Sequence, residues 1–417
     1  MENMRKLKIA IFTDVYLEVA GGIYSSIQAQ KRALEQSGHE VVIFCPGKDT
    51  SKLEKNVLVV PTCKHIRINR APLARRPAII EKWVLNKYPN FKDDFDVVHV
   101  HYEAGASIAG VRLAKKYHLP LIQTMHGRED MAIAMNIPWM FKTFAASTLN
   151  WFHSWYLPHK IKVKKDEYLA PTISRAKMWT MMVNHANCAD VVITPSSHFK
   201  KKLEYYGVSR PIEVMPNGVA DEILEKECVV RKVKDGEPIK MIWHSRVSNE
   251  KRILPFLRAL KFFEGKYSLD VYGDGNIAQI AERYAQLNKM NVKFHGRKSR
   301  MEILKKIDES HLDIMASYGF DTQGVTLLEA EARGLPVFFC DPDMREVVPE
   351  GSYILSSGPE SSRMADALNK LVFHPELIEQ MSEKMIKKRF EVAQSEKNKK
   401  MLKIYYDNIA ADVASKD

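Results

Sequence analysis

One stretch limits what this chain can fold into more than any other: Phe320-Asp321-Thr322-Gln323-Gly324, then Val325 to Arg333, then Gly334-Leu335-Pro336-Val337. A polar loop ends in a small turn residue, a helix is expected from about Val325, and Gly-Leu-Pro stops it before a β-branched strand start. Units of this kind build α/β domains around a parallel sheet. Asp321 lies in the loop and Glu329 eight positions on, two turns into the helix. The first turn of such a helix has unbonded backbone N–H groups and the positive end of the dipole, which suits a phosphate or an anionic leaving group. Read as structure alone, the stretch is one more loop–helix–strand unit and Glu329 a surface carboxylate.

At 417 residues the chain exceeds one ordinary core and points to two domains. The Met1–Lys8 segment is polar and basic, and Ile9 to Phe12 is too short for the apolar core of a signal peptide. Five scattered cysteines form no CxxC pair, so neither a zinc site nor a disulfide framework is indicated, and a reducing cytoplasm is expected. The net charge of +12 is unevenly spread: residues 1–200 hold 28 Lys/Arg and 17 Asp/Glu, leaving 35 and 34 for residues 201–417. A basic first half can face nucleic acid, an anionic membrane or an acidic substrate.

That half opens with a buried-strand run, Lys8 to Asp14, a Gly21-Gly22 loop, a helix over Tyr24 to Gln36 and a second strand at Glu40 to Phe44. This is a Rossmann-like βαβ start without a full GxGxxG, so a dinucleotide site is not supported, although the Gly pair allows backbone to approach a diphosphate. His99 and His101 share one face of a strand by its two-residue period. His126 ends the next strand, where open α/β sheets place ligands. Asp94-Phe95-Asp96 has the spacing of a metal-binding DxD but directly precedes a buried strand, which favours an ordinary strand start.

Two segments carry the excess charge. Lys64 to Lys87 sets Lys64, Arg67, Arg70, Arg75, Arg76, Lys82 and Lys87 against Glu81. Trp139 to Lys165 holds three of the six tryptophans. At 100° per residue, Met140, Phe141, Phe144, Ala145, Thr148, Leu149, Trp151, Phe152, Trp155 and Tyr156 fall on one side. Lys142, Thr143, Ala146, Ser147, Asn150, His153 and Ser154 fall on the other, with Trp139 the exception. Lys160, Lys162, Lys164 and Lys165 follow. A wide aromatic face followed by lysines is the pattern of a helix lying in a membrane interface, interrupted too often to span one. The competing readings are an ordinary core helix packed on the sheet and, for basic residues mixed with aromatics, an RNA surface, for which no module signature is present.

After a linker near Tyr205 to Glu225, the α/β alternation restarts at Ile239 to Trp243. Arg246 and Lys251 bracket the following strand-to-helix loop, a place where cations meet phosphate. Strands ending in Gly273-Asp274-Gly275 and His295-Gly296 come next, and Ile314 to Ser317 enters the opening stretch.

In this order the Gly21-Gly22 loop, His99/His101, Thr124-Met125-His126, Pro195-Ser196, Pro216-Asn217-Gly218-Val219, Arg246 with Glu250-Lys251, Gly273-Asp274-Gly275, His295-Gly296 and Asp321-x7-Glu329 resemble a family. It is that of the retaining glycosyltransferases with the GT-B fold, typified by sucrose synthase, phosphatidylinositol mannosyltransferases and bacterial diacylglycerol glucosyltransferases; Thr322 to Thr326 is most similar to the lipid branch. The resemblance implies two Rossmann-like domains with the nucleotide sugar in the cleft between them, residues 1–205 and 206–394, and a last helix of about 395–417 returning to the first. It implies that the Gly22 backbone, Arg246 and Lys251 hold the donor diphosphate and that Glu329 bonds the ribose. Asp321 and the Gln323-Gly324-Val325 backbone would face the hexose, with His126 near the reacting sugar. The donor, UDP-glucose by preference, is a co-substrate, and no metal or other cofactor is expected. Where the family usually has Glu, this chain has Asp321, a carboxylate retracted by roughly 1.5 Å, one bond length. The activity expected is hexosyl transfer to a membrane lipid such as diacylglycerol, by a cytoplasmic protein bound peripherally to the inner face of the cell membrane. The membrane contact would use Arg67, Arg70, Arg75, Arg76, Phe144, Trp151, Phe152, Trp155 and the four lysines. The alternatives are a soluble or polymeric acceptor, such as cell wall or exopolysaccharide, and a non-catalytic carbohydrate-binding protein of the same fold.

Overall fold

The computed structural model describes residues 5–14, 22–47, 54–68 and 71–414. The chain forms two compact units, Met1–Pro216 with Lys397–Asp417, and Asn217–Glu396.

The first unit contains β1 (Lys8–Thr13), β2 (Glu40–Cys45), β3 (Val57–Val59), a hairpin of β4 (Thr62–Ile68) and β5 (Ala71–Ala74), then β6 (Val97–His101), β7 (Leu121–Thr124), β8 (Val191–Thr194) and β9 (Ile212–Val214). Apart from the hairpin, these strands make a seven-stranded sheet in the order β3-β2-β1-β6-β7-β8-β9, parallel throughout. β9 forms within the stretch whose composition suggests a linker. The alternation of side chains along β1 divides the core. Ile9 and Ile11 join Ile27, Leu34 and, from the C-terminal helix, Met401, Leu402, Ile404 and Tyr405. Ala10 and Phe12 join Ala109, Val111 and Leu113 on the opposite face. Each such aliphatic side chain contributes about 1.5–3 kcal/mol by leaving water, so the C-terminal helix is a full partner of this core.

The second unit repeats the plan with β10 (Ile239–Trp243), β11 (Tyr267–Tyr272), β12 (Val292–Gly296), β13 (Leu312–Met315), β14 (Val337–Phe339) and β15 (Tyr353–Leu355), ordered β12-β11-β10-β13-β14-β15. Met241 and Trp243 pack with Ile253, Phe256 and Leu257, and Ile242 faces Leu327, Leu328 and Val337. In both sheets the strand order reverses beside the first strand, between β1 and β6 and between β10 and β13. Loops diverge there at the carboxyl ends of the strands, which opens a crevice for ligands.

Asp96 Oδ2 accepts the backbone N–H of Lys8 at 2.7 Å, so the Asp94-Phe95-Asp96 triplet serves as a strand start.

Candidate active site

In the second unit, the residues singled out by sequence meet at the carboxyl ends of β10 and β13. The helix Val325–Ala332 begins where expected, with Gly324 at its N-cap at a φ of 76°. Lys251 closes a short 3₁₀ turn, Asn249–Lys251. Its Nζ donates to Asp321 Oδ1 at 2.6 Å and lies 5.3 Å from the centre of the Phe320 ring. Ser317 Oγ donates to the other Asp321 oxygen. The shorter acidic side chain is thus held from two directions. Gln323 is buried, and its Oε1 accepts both the backbone N–H of Asn217, at 2.9 Å, and the Asn217 side-chain amide, at 2.7 Å. That contact turns the amide group of Gln323 to loop fixing and keeps the backbone of Gln323-Gly324-Val325 as the helix-start surface.

Arg246 is more exposed than Lys251, with its guanidinium 3.2 Å from Glu250. Its loop is set by the Gly-Asp-Gly turn after β11. A Cβ on Gly273 would stand 2.1 Å from the carbonyl oxygen of Ser245, and one on Gly275 2.1 Å from that of Val247. Only glycine lets the two loops approach this closely.

Glu329 is not the surface carboxylate of the purely structural reading. Its Oε1 lies 2.9 Å from Arg300 and its Oε2 3.5 Å from His244 Nδ1, while His244 Nε2 lies 3.2 Å from Asp313. Burial would raise the Glu329 pKa, but His244 and Arg300 outweigh it and hold the carboxyl below its usual range. Burial likewise works against a charged His244, yet Asp313 and Glu329 push it up to about 10. Sequence reasoning missed His244, Arg300, Asp313 and Ser317 as parts of the site. The one signal was Asp313 itself, a carboxylate in the apolar run Leu312-Asp313-Ile314-Met315, where a charge demands a partner.

In the first unit, His126 follows β7 and is buried, with its Nε2 2.7 Å from His101 Nδ1. Burial lowers its pKa to about 4. The His99 and His101 rings share a face as the strand period requires, their centroids 4.1 Å apart. His99 bonds Thr124 Oγ1 and the hydroxyl of Tyr405, each at 2.7 Å. At the end of β1, Asp14 caps the helix Gly105–Tyr117 by accepting the N–H groups of Ala106, at 2.7 Å, and Ser107, at 3.1 Å. Gly22 opens the helix Gly22–Gln36, and Gly21 lies outside the described residues.

The aromatic segment forms the helix Trp139–Tyr156, started after Pro138 and ended before Pro158. Its orientation overturns the reading as an ordinary core helix. Phe144 is 73% exposed, Trp155 64% and Trp151 54%, and the Trp151 and Trp155 rings pack on each other at 4.5 Å. Phe152 is half-buried. The fully buried positions, Ala146 and His153, belong to the polar and small side, while Phe152 and Tyr156 at the edge of the aromatic side also pack on the core. Ala146 packs with Met178 and Met181, and His153 bonds His159 at 2.6 Å and His185 at 2.9 Å. Lys160, Lys162, Lys164 and Lys165 are exposed, with Ile161 and Val163 between them packed on the core. Arg75 and Arg76 are exposed as well. Arg67 is described only as backbone of β4, and Arg70 lies outside the described residues. Among the described residues no helix is long and apolar enough to cross a membrane.

Residues 20–223 match the family described as Glycosyltransferase Family 4, and residues 226–388 match Glycosyl transferases group 1. Among curated proteins, the alpha-monoglucosyldiacylglycerol synthase of Streptococcus pneumoniae is 23% identical over 431 aligned residues, covering 99% of this chain and 88% of that protein. Sucrose-phosphate synthase from Thermosynechococcus elongatus superposes with a TM-score of 0.71 at 16% identity, over 97% of this chain and 100% of that one. Anabaena HepE in complex with UDP-glucose gives a TM-score of 0.63 at 14% identity, over 98% and 100%. At these identities the solved structures speak for the fold, and the two parallel sheets with their flanking helices are the GT-B fold.

Proposed function

The chain belongs to the family-4, group-1 glycosyltransferases, which are retaining hexosyltransferases, and from that premise we propose that it moves glucose from UDP-glucose to diacylglycerol at the inner face of the cell membrane. The observation that carries the acceptor half is the outward-turned aromatic face of the helix Trp139–Tyr156, followed by four exposed lysines. Apolar surface of this size on a charged protein marks an interaction site, and aromatic rings with flanking cations match an anionic lipid interface. The sequence relationship to a monoglucosyldiacylglycerol synthase supports the same acceptor, and the structural likeness to a protein seen with UDP-glucose supports the donor.

In this reading Arg246, Lys251 and the start of the helix Val325–Ala332 receive the donor diphosphate. Glu329 receives the ribose, and Asp321 with the Gln323-Gly324-Val325 backbone faces the glucose. The bond from the anomeric carbon to the phosphate oxygen breaks while the acceptor hydroxyl oxygen bonds that carbon from the same face. The hydroxyl proton passes to the departing phosphate oxygen. Charge grows on the diphosphate as the sugar becomes oxocarbenium-like, so fixed cations and helix N–H groups act where charge develops. His126, neutral at pH 7, offers a hydrogen bond near the reacting sugar without a competing charge.

The test is a panel of nucleotide sugars offered to the whole protein with diacylglycerol in vesicles containing anionic phospholipid. Glucosyldiacylglycerol from UDP-glucose is expected, with vesicle binding that rises with anionic lipid and falls with salt. Trp151→Glu/Trp155→Glu protein should no longer sediment with the vesicles. Unchanged sedimentation would remove the membrane half of the reading, and transfer only to soluble or polymeric acceptors would replace the lipid. No transfer from any donor would leave a carbohydrate-binding protein.

A further inference from the structure

The second unit contains an array of four alternating charges. Asp313 and His244 have side chains 1% exposed, with Asp313 Oδ1 3.2 Å from His244 Nε2. His244 Nδ1 then lies 3.5 Å from Glu329 Oε2, and Glu329 Oε1 lies 2.9 Å from Arg300 Nη2. The backbone fixes the first pair. β10 and β13 run side by side with Ile242 opposite Asp313, so the residue two beyond Ile242 comes back over the carboxylate. Removing an ion pair from water costs several kcal/mol per charge, and apolar residues of the same volume usually serve stability as well or better. Stability alone therefore does not account for two fully buried charged side chains behind a carboxylate that is itself 13% exposed.

We propose that His244, held by Asp313, is a positioning residue for nucleotide recognition: it fixes Glu329 from behind so that the carboxylate accepts both hydroxyls of the donor ribose. The proposal rests on the assignment of Glu329 to the ribose. Each carboxylate oxygen has two lone-pair directions. The His244 ring lies 3.5 Å from Oε2 and the Arg300 guanidinium 2.9 Å from Oε1, one cation beside each oxygen, and the two directions per oxygen leave room for one hydroxyl of a vicinal diol on each. The histidine also keeps the group ionised, and an ionised carboxylate is an acceptor only, the form that two donating hydroxyls require. A free Glu329 would rotate about its terminal bond and lose this bidentate geometry.

Calorimetric titration of the full chain with UDP and with 2′,3′-dideoxy-UDP tests the proposal, because only UDP presents the diol. His244→Asn should weaken UDP by about 10- to 100-fold, the worth of a hydrogen bond to a charged group, and leave the dideoxy analogue unchanged. Since His244→Asn strands the Asp313 carboxylate, His244→Asn/Asp313→Asn is measured beside it, and a variant that melts as the native protein does must show the same selective loss. Equal weakening of both nucleotides, or unchanged UDP affinity, would overturn the role of His244. Glu329→Gln separates the two layers of the argument. If it leaves the preference for UDP over the analogue intact, the ribose assignment itself falls. If it abolishes that preference while both His244 variants keep it, only the positioning role falls.

Discussion

The buried histidines at the two candidate sites are in opposite electrical states, although His311, elsewhere in the second unit, is pushed down by burial to about 4 like those of the first. In the first unit, burial pushes His99 and His185 down to about 3 and His126 to about 4. Their partners include hydroxyls, the Gln30 amide and other imidazoles. In the second, His244 is no less buried, yet Asp313 and Glu329 raise it to about 10. Depth is the same and the sign is reversed, so the partner decides. The unit with the aromatic helix contains a neutral histidine network, and the unit with the Asp321–Glu329 helix contains fixed ion pairs.

The largest test of that contrast is Lys251→Ala. If ion pairs organise the second unit's site, losing the cation bonded to Asp321 should reduce kcat on the order of 10²–10³-fold, as for loss of one charge-stabilising donor. Steady-state transfer assays check it, and an undiminished kcat would detach the ionic architecture from catalysis.

The next is pH. His99, His126 and His185 have folded pKa values below the unfolded value of 6.5. Their contribution to stability is complete above about pH 6.5 and is lost as pH falls toward 3–4, at about 2 kcal/mol for each by pH 5. The folded pKa of His244 is raised, so its contribution is complete below about pH 6.5 and is lost as pH rises through about 10. Hydrogen exchange read by mass spectrometry at pH 5, 7 and 9.5 should show β6 and β7 loosening in acid only, and the carboxyl ends of β10 and β13, beside His244, loosening in alkali, while His311 adds an acid-side loss at the amino ends of those two strands. The same pattern of loosening at both extremes would break the comparison.

The smallest effect is expected from Tyr405→Phe. It removes a hydroxyl bonded to His99 at 2.7 Å and to Gln30 at 3.1 Å. In a neutral network this should cost about 1 kcal/mol in urea unfolding. A loss of several kcal/mol would mean that a charge is buried there after all.

Several features were legible because they follow from local geometry. The helix from Val325, the face shared by His99 and His101, and the two sides of Trp139–Tyr156 are periodicities of the backbone, visible without any neighbour. The alternation of strand and helix named an α/β fold for the same reason. The sequence by itself therefore determined the Asp321–Glu329 loop and helix and the existence of an aromatic face. It did not determine which way that face points, because a helical pattern has two sides and only a partner chooses between them. Here His153 meets His185 of a later helix and Ala146 meets Met178 and Met181, so these two positions of the polar side turn inward and Phe144, Trp151 and Trp155 turn outward. Nor could it show that Asp313 pairs with His244, since that contact depends on the register of β10 against β13, some seventy residues apart. Tyr405 reaches His99 across more than three hundred residues. Only the tertiary structure decided these, because a charge or a ring takes its pKa and its role from what is packed against it, and packing is set by distant parts of the chain.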